Sequence, residues 1–273
     1  MADGGTTPQS IEDIPAPTGD IGGGICRDEI DLRDRIYEPT LAQLRVHAPP
    51  DEHLIRCMLG QVDNREESEP VLLPRSQGEE GTCGGQALAA VIDIQRILAN
   101  TEPDENGLYS PNMPPVSARM LHEMAISRSG RDRKHGVTLR EVIKAFYNYG
   151  VCRERDWAYA PHCKDLKLTF DRARNAKRTS LGAYYRLRPS LNAYHAAINE
   201  TGAILVSAEL HDNWRADVVA ENNGVIKPPE DFSYNTALEK HAFVIVGYTR
   251  RGFLVLNSWG REWGGWRPDE TSD

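Results

Sequence analysis

Residues 87–98 form a segment that is apolar on nearly every side of a helix, and this segment limits the choice of fold more than any other part of the chain. Asp93, Arg96 and Asn100 recur at i, i+3 and i+7 and form a single narrow polar stripe. A helix that is apolar almost all round must be covered by other elements. We therefore predict a central, mostly buried helix whose first turn begins at Cys83.

Capping signals predict further helices. Thr138 and Glu141 form a capping box ahead of an apolar face at residues 139–149, and Gly150 stands where a C-terminal glycine is expected. Two more helices are predicted from similar patterns, at residues 117–126 and at residues 191–201, the second one between Ser190 and Gly202.

Beyond residue 202 the pattern changes to short runs of β-branched and apolar residues bounded by turn residues. The runs predicted as strands are residues 203–208, 241–248 and 252–257. Residues 249–251 separate the last two runs, which predicts a hairpin. A mainly helical first half followed by a second half of strands indicates an α+β fold with two lobes.

The N-terminal part differs from the rest in composition. Residues 1–24 are rich in Gly, Pro and Thr and have almost no large apolar side chains, so we predict that they are disordered. Residues 25–61 are predicted to be a partly helical N-terminal extension or a short prosegment. Residues 1–24 also lack the basic start and apolar stretch of a secretory signal. We therefore expect a cytoplasmic protein, although an effector exported without a cleaved signal would look the same.

Charge and apolar content argue against two classes of partner. The 273 residues include 32 Lys and Arg against 40 Asp and Glu, which gives a net charge of −8. No predicted helix carries a sustained basic stripe, so nucleic acid is not an expected partner. No stretch reaches the roughly 20 apolar residues of a membrane-spanning helix, so a membrane is not an expected partner either.

The five cysteines are too few and too irregularly spaced for a disulfide framework, and their odd number leaves at least one unpaired. We expect all of them to be reduced. Cys152 and Cys163 would be able to pair with each other, or to bind a metal together with His162, but the absence of a CxxC spacing disfavours a metal site.

Four residues together supply the groups that a cysteine hydrolase requires. Gln77 stands six residues before Cys83, and His241 and Asn257 follow far downstream, next to predicted strands. A thiol needs a base to become a thiolate, the base needs an orienting partner, and the tetrahedral intermediate needs donors for its oxyanion. A helix start favours a thiolate as well. Each residue alone also fits a structural role, as a buried thiol, a core histidine or part of a turn. Their combination predicts catalysis.

These residues resemble the papain family of cysteine peptidases, in a divergent form of bacterial or viral type. The resemblance covers roughly residues 62–266 and rests on the motifs Gln77-Gly78, Gly81-Thr82-Cys83, His241-Ala242, Val246-Gly247-Tyr248, Asn257-Ser258-Trp259-Gly260 and Trp263-Gly264. It implies a peptidase domain at residues 62–273. The helical lobe, at about 62–185, would carry the central catalytic helix, and an antiparallel β-sheet or barrel lobe would follow at about 186–273.

The resemblance implies a role for each of the four residues. Cys83 would be the nucleophile and His241 its base, and the two would rest as a thiolate–imidazolium pair. Asn257 would orient the imidazole. Gln77 and the backbone N–H of Cys83 would bind the oxyanion. No metal or organic cofactor is implied.

The resemblance also places Gly84, Gly136, Trp259 and Trp263 at the substrate site. Two departures from the family pattern concern this region. Glu80 replaces the cysteine that forms a disulfide in secreted members, which fits a reducing compartment. Gly84 replaces the usual aromatic residue after the nucleophile, which leaves the pocket wall more open.

The implied activity is that of an endopeptidase acting on a peptide or protein substrate. Two alternatives remain: a papain-fold amidase, deamidase or transpeptidase effector, and a non-catalytic papain-like binding module. An autoinhibitory N-terminal segment or a regulatory partner would be compatible with each of them. A basic stretch is either a solvated loop or a rim that favours acidic substrates, and it consists of Arg128, Arg131, Arg133 and Lys134.

Overall fold

The computed structural model describes residues 24–38, 74–100, 113–133, 136–229 and 239–265. In chain order these residues form strand β1 (Ile25–Cys26), helices α1 (Cys83–Asn100) and α2 (Ala118–Ser129), strand β2 (Val137–Thr138), helices α3 (Leu139–Tyr149), α4 (Phe170–Ala176) and α5 (Leu191–Thr201), strand β3 (Ile204–Glu209), helix α6 (Ala216–Glu221), and strands β4 (Lys240–Tyr248) and β5 (Phe253–Leu256). Helices packed beside an antiparallel sheet confirm the predicted α+β class.

Helix α1 lies at the centre of the molecule, as predicted. Its residues 83–94 are all buried. Helix α2 approaches so closely that a Cβ atom on Gly85 would lie 2.8 Å from the carbonyl oxygen of Ala118. The predicted polar stripe does not face solvent along its whole length, because Asp93 is buried and accepts a hydrogen bond of 2.7 Å from Nη2 of Arg75. A buried carboxylate needs such a partner to remain charged.

Strand β4 joins the two halves of the core. It is the middle strand of a three-stranded antiparallel sheet with the order β3-β4-β5. Because side chains of a strand alternate between its two faces, Ala242, Val244 and Val246 pack into the core that contains α1. Phe243 and Ile245 face the other way, into a second and more aromatic core. One face of β4 therefore belongs to the first core and the other face to the second.

The predicted caps and turns are confirmed. Thr138 accepts a hydrogen bond from the backbone of Glu141, whose side chain in turn accepts one from the backbone of Thr138, and Gly150 caps the other end of α3. Helix α5 begins after Ser190, as predicted, whereas α2, predicted at residues 117–126, begins after Ser117 as its cap and extends to Ser129. Strands β4 and β5 form the expected hairpin. Helices α4 and α6, of seven and six residues, were not predicted.

Residues 24–38, here called the N-terminal strap, run along the surface of both lobes without forming a helix. Strand β1 pairs in parallel with β2, and Tyr37 donates its backbone N–H to the carbonyl oxygen of Arg186 at 3.0 Å. The strap itself contains no helix, since these residues are held by pairing with other parts of the chain, and the predicted partly helical character of residues 25–61 stays a prediction. The remainder of that segment, and the predicted disordered tail up to residue 23, lie outside the described residues.

Four of the five cysteines are described, and none of these four forms a disulfide. Cys152 and Cys163 are therefore not paired with each other. Within the described ranges, no group of His, Cys, Asp and Glu is arranged to hold a metal ion. The helices of the same ranges are too short or too polar to span a membrane.

Candidate active site

The backbone beside Gln77 pairs with the backbone that follows Asn257. The N–H of Gln77 donates to the carbonyl oxygen of Ser258 at 2.8 Å, and an antiparallel bridge joins the same two segments one residue further on. The 77–82 loop leads from this pairing directly into α1. Three of the predicted functional residues, 180 positions apart in the sequence at their extremes, are thereby brought to one place.

Cys83 is the first residue of α1 and is fully buried. Burial raises the pKa of its thiol to about 11, although hydrogen bonds from the backbone N–H groups of Ala242, Gly84 and Cys83 itself act in the opposite direction. The contact with the Ala242 amide places the sulfur beside the start of β4, next to His241.

His241 is fully buried, and its Nε2 lies 2.6 Å from Oδ1 of Asn257. Because an amide oxygen can only accept, Nε2 carries the proton and Nδ1 is left with its lone pair. Nδ1 is buried and has no hydrogen-bond partner among the described residues. Burial lowers the pKa of His241 to about 4, and the hydrogen bond that Nε2 donates to Asn257 opposes this effect.

The expected thiolate–imidazolium pair is therefore disfavoured in this closed form. With the pKa of Cys83 raised and that of His241 lowered, both groups are neutral near pH 7. The reason is desolvation: removing both groups from water disfavours both charges. The helix start that favours a thiolate does not outweigh burial here.

Two tryptophans that were predicted to contact substrate have different surroundings. The ring of Trp259 packs on His241 with centroids 4.5 Å apart, and its side chain is buried. Trp259 therefore shields the imidazole from water. Trp263 is partly exposed, stacks on Trp214 and donates its Nε1–H to the Trp214 carbonyl at 3.0 Å. Direct contact of either residue with a substrate stays a prediction.

The side-chain amide of Gln77 is buried and has a defined orientation. Oγ of Ser258 donates to its Oε1 at 2.7 Å, and its Nε2 donates to the carbonyl oxygen of Glu80 at 2.9 Å. The acceptor end of the amide is thus held by the segment that follows Asn257, and the donor end faces the 77–82 loop.

Glu80, at the position where a disulfide was expected in secreted relatives, instead joins a polar network. Its carboxylate accepts a hydrogen bond of 2.6 Å from Arg119 and one of 2.7 Å from the backbone of His162, and it lies 3.0 Å from the hydroxyl oxygen of Tyr159. Although burial opposes ionisation, Arg119 and the other donors hold the pKa of Glu80 below its usual value. The loop is therefore held by charge and hydrogen bonds.

The N-terminal strap lies against both catalytic elements. Gly24 donates its N–H to the carbonyl oxygen of Lys240 at 3.2 Å, and its own carbonyl oxygen accepts the N–H of Val137 at 3.1 Å. A Cβ atom on Gly24 would lie 2.3 Å from the carbonyl oxygen of Gly81, two residues before Cys83. The strap thus crosses the cleft between the helix that begins with the thiol and the strand that carries His241.

The two glycines predicted at the substrate site contact the strap. A Cβ atom on Gly84 would lie 2.7 Å from Cδ1 of Ile25, so the space left by the missing aromatic side chain is filled by this isoleucine. Gly136 has a φ of +67°, and a Cβ atom there would lie 2.2 Å from the carbonyl oxygen of Gly24. Residues of the strap therefore fill the space beside both glycines in this form. Their contact with a substrate stays a prediction.

Two residues of the basic stretch form ion pairs. Arg131 binds Glu141 at 2.9 Å, and Arg133 forms a charge-paired contact with the buried carboxylate of Glu123. Lys134 lies outside the described residues. These pairs favour a structural loop over a rim that selects acidic substrates.

The sequence analysis assigned no role to Ser258, Trp214 or Ile25, which contact the site residues in the structure. Ser258 directly follows Asn257, and a hydroxyl beside a predicted catalytic amide was an available signal. Trp214 and Ile25 carry no such signal, because their contacts depend on how distant segments meet.

The sequence profile of papain family cysteine proteases matches residues 60–266. The chain is 26% identical over 202 residues to an uncharacterized peptidase C1-like protein of Acanthamoeba polyphaga mimivirus, with 69% of this chain and 60% of that protein aligned. It is also 26% identical over 199 residues to cathepsin J of Mus musculus, with 70% and 53% aligned. The chain thus spans 53 to 60% of the length of these two relatives.

Solved structures show the same architecture. The chain is similar to xylellain, a cysteine protease from Xylella fastidiosa, with a TM-score of 0.64, 23% identity and coverage of 89% of this chain and 87% of the other. It is also similar to a digestive procathepsin L2 proteinase from Tenebrio molitor larval midgut, with a TM-score of 0.62, 18% identity and coverage of 89% and 70%. These likenesses concern the fold, and they confirm the predicted two-lobe architecture.

Proposed function

Because the chain belongs to the papain family of cysteine proteases, we propose that it is an endopeptidase that hydrolyses peptide bonds through a covalent intermediate on Cys83. The arrangement of His241 carries the proposal. Its Nε2 is held 2.6 Å from Oδ1 of Asn257, and its Nδ1 keeps a lone pair. The next residue, Ala242, contacts the thiol through its backbone amide. In the proposed reaction the thiol comes within hydrogen-bond reach of this lone pair, as a nucleophile and its base require.

In the proposed reaction, Nδ1 of His241 takes the proton of Cys83 and the sulfur adds to the carbonyl carbon of the scissile bond. The carbonyl π electrons move to the oxygen. When the tetrahedral intermediate collapses, the carbon–nitrogen bond breaks and His241 gives its proton to the leaving amine. A water molecule, deprotonated by His241, then hydrolyses the thioester and restores the thiol.

The oxyanion would be stabilised by two donors at the ends of the 77–82 loop. These are the side-chain amide of Gln77 and the backbone N–H of Cys83 at the start of α1. Each such donor contributes about 10²–10³ in kcat. Ser258 supports this role, because its hydrogen bond to Oε1 directs the amide nitrogen of Gln77 away from itself.

We further propose that the strap is autoinhibitory. It occupies the contacts of Gly84 and Gly136, and the thiol and imidazole beneath it are neutral and fully buried. Polar contacts hold it from outside the cleft: the backbone N–H of Arg140 donates to Asp28 at 3.2 Å, and its Nη2 donates to Asp34 at 2.6 Å. Opening the strap would rehydrate the pair and allow the thiolate–imidazolium form.

Selective alkylation tests the activated thiol. In Ile25→Asp, a variant designed to open the strap, iodoacetamide at pH 6 is expected to label Cys83 in preference to the other cysteines, because in the open form His241 takes its proton while an ordinary thiol with a pKa of about 8.5 stays protonated. Peptide mass spectrometry measures the labelling of each site. His241→Ala should remove the preference, whereas His211→Ala, a half-buried histidine elsewhere in the β lobe, should preserve it. Equal labelling of all five thiols would contradict the proposal.

The neutral pair under the strap has a consequence for pH dependence. Opening converts thiol and imidazole into thiolate and imidazolium by moving one proton from Cys83 to His241. The pair holds the same number of protons before and after, and linkage then predicts no change of the closing equilibrium with pH. Removing the thiol leaves His241 to titrate alone, with its pKa lowered to about 4 in the closed form.

Cys83→Ala is therefore expected to make closure sensitive to acid. A depressed closed-state pKa stabilises the closed form above the ordinary histidine value and loses this contribution as pH falls. Between pH 7 and pH 5 the protection of the Val137 amide, which donates to Gly24, should fall roughly 20-fold. Hydrogen exchange corrected for intrinsic rates measures it. The wild-type protein should show a nearly flat profile, and an equal fall in both would contradict the neutral pair.

A further inference from the structure

Tyr159 makes more contacts with the 77–82 loop than its position far along the chain would suggest. Its hydroxyl donates to the carbonyl oxygen of Gln77 at 2.7 Å and accepts from Oγ1 of Thr82 at 2.9 Å. The carboxylate of Glu80 lies 3.0 Å from the same oxygen. One phenol therefore contacts the first, the last and a middle residue of a six-residue loop.

The two ends of this loop carry the two proposed oxyanion donors. Gln77 supplies its side-chain amide, and Thr82 immediately precedes the backbone N–H of Cys83. The amide nitrogen of Gln77 has two N–H groups, and one of them donates to the Glu80 carbonyl oxygen at 2.9 Å. The separation of the donors thus depends on the shape of the loop that Tyr159 holds.

We propose that Tyr159 is a positioning residue that sets the oxyanion site through the 77–82 loop. The proposal rests on the proposed function, because it concerns a donor pair that only a tetrahedral intermediate would use. Electrostatic stabilisation of this kind requires donors fixed before the reaction at the position where charge develops. A loop of six residues with two glycines, Gly78 and Gly81, would otherwise have considerable backbone freedom.

Tyr159 is itself rigidly mounted. Its side chain is buried, and the guanidinium of Arg119 lies over the ring, 4.5 Å from the centroid. Arg119 also donates to Glu80 at 2.6 Å and to the carbonyl oxygen of Ala160. The backbone N–H of Tyr159 donates to the buried carboxylate of Glu154. Ring, hydroxyl and backbone are each held by a different partner, so the loop rests against a fixed point.

Burial also keeps Tyr159 protonated, because it raises the pKa of the phenol above its usual value. The hydroxyl therefore remains a donor to Gln77 across the whole working range of a protease.

Tyr159→Phe tests the proposal by removing one oxygen atom. We expect kcat for an amide substrate to fall about 10-fold, a part of the 10²–10³ that one oxyanion donor contributes, while KM changes less than 2-fold. Affinity for a peptide aldehyde, whose hemithioacetal with Cys83 carries an oxyanion-like oxygen, should fall by the same factor. The rate of Cys83 alkylation by iodoacetamide needs the thiolate and no oxyanion site, so it should be unchanged. Tyr147→Phe, at an exposed tyrosine of α3, is the matched control.

The outcomes separate this inference from the proposed function. If the wild-type protein binds the aldehyde but hydrolyses no peptide, the endopeptidase proposal fails, and the aldehyde affinities of wild type and Tyr159→Phe still decide the role of Tyr159. Equal losses in alkylation and aldehyde affinity would indicate a general structural role and overturn the inference. Thr82→Val, which removes the hydroxyl that donates to Tyr159, is a second variant should Tyr159→Phe fold poorly. It should lower kcat and aldehyde affinity together, and an unchanged aldehyde affinity would likewise overturn the inference.

Discussion

Cys83→Ala should lower kcat/KM for peptide hydrolysis by at least about 10⁴-fold, since removing the nucleophile of a catalytic unit leaves only the contribution of binding and oxyanion donors. Alanine is smaller than cysteine and should preserve the start of α1. Because the buried thiol is neutral, removing it leaves no charged partner behind. Hydrolysis of an internally quenched peptide measures the loss. Cys163→Ala, at a half-buried unpaired cysteine, should retain full activity.

A residual rate near that of the wild type would show that the chemistry lies elsewhere. Reactions in water labelled with a heavy oxygen isotope add a second control. Incorporation of one heavy oxygen into the new carboxylate indicates hydrolysis, whereas transfer of the acyl group to an added amine without incorporation would favour a transpeptidase.

The elements predicted with the right boundaries are those whose signals are local. The capping box of Thr138 and Glu141 and the glycine at 150 define α3 within a dozen residues, and the structure has the same boundaries. The apolar run at 241–248 likewise needs no partner to be recognised as a strand. Local hydrogen-bonding chemistry and hydrophobic periodicity determine such elements.

The candidate site could be predicted because its chemistry needs particular residue types. Cys83, His241 and Asn257 are far apart in sequence, but few other residues can supply a nucleophile, its base and an orienting amide. What was not predictable is their protonation. The charge state depends on burial of the two side chains, and burial depends on contacts between distant parts of the chain.

The strap and the buried ion pairs have no periodic signature. Strand β1 has two residues, too few to show alternation, and Ile25 is buried only because Gly84 leaves room for it. Asp93 was placed on a polar stripe because helical spacing cannot reveal that Arg75 approaches it from a distant segment. Contacts between parts of the chain that meet only in the folded state decide these cases.

Ile25→Asp is expected to open the cleft. Ile25 is almost fully buried, and its Cδ1 lies in the space beside Gly84 that Val137 and Val142 also border. Burying an aliphatic side chain stabilises the closed form by about 1.5–3 kcal/mol, which corresponds to roughly a 10- to 100-fold shift in the closing equilibrium. Aspartate loses this contribution and would also have to desolvate its charge on closing. The rate of Cys83 alkylation, and kcat/KM for peptides, should rise by at least about 10-fold.

Ile30→Asp is the matched control, because it makes the same substitution in the same strap at a residue that is 81% exposed. It alters strap charge without altering the cleft contact, so alkylation should remain at the wild-type rate. Equal acceleration in both variants would mean that strap charge, and not the Ile25 contact, governs access. No acceleration in either would mean that the strap does not limit access to the thiol. In that case Gly84 and Ile25 would be parts of a permanent core, and the neutral catalytic pair would have to ionise without leaving its buried surroundings.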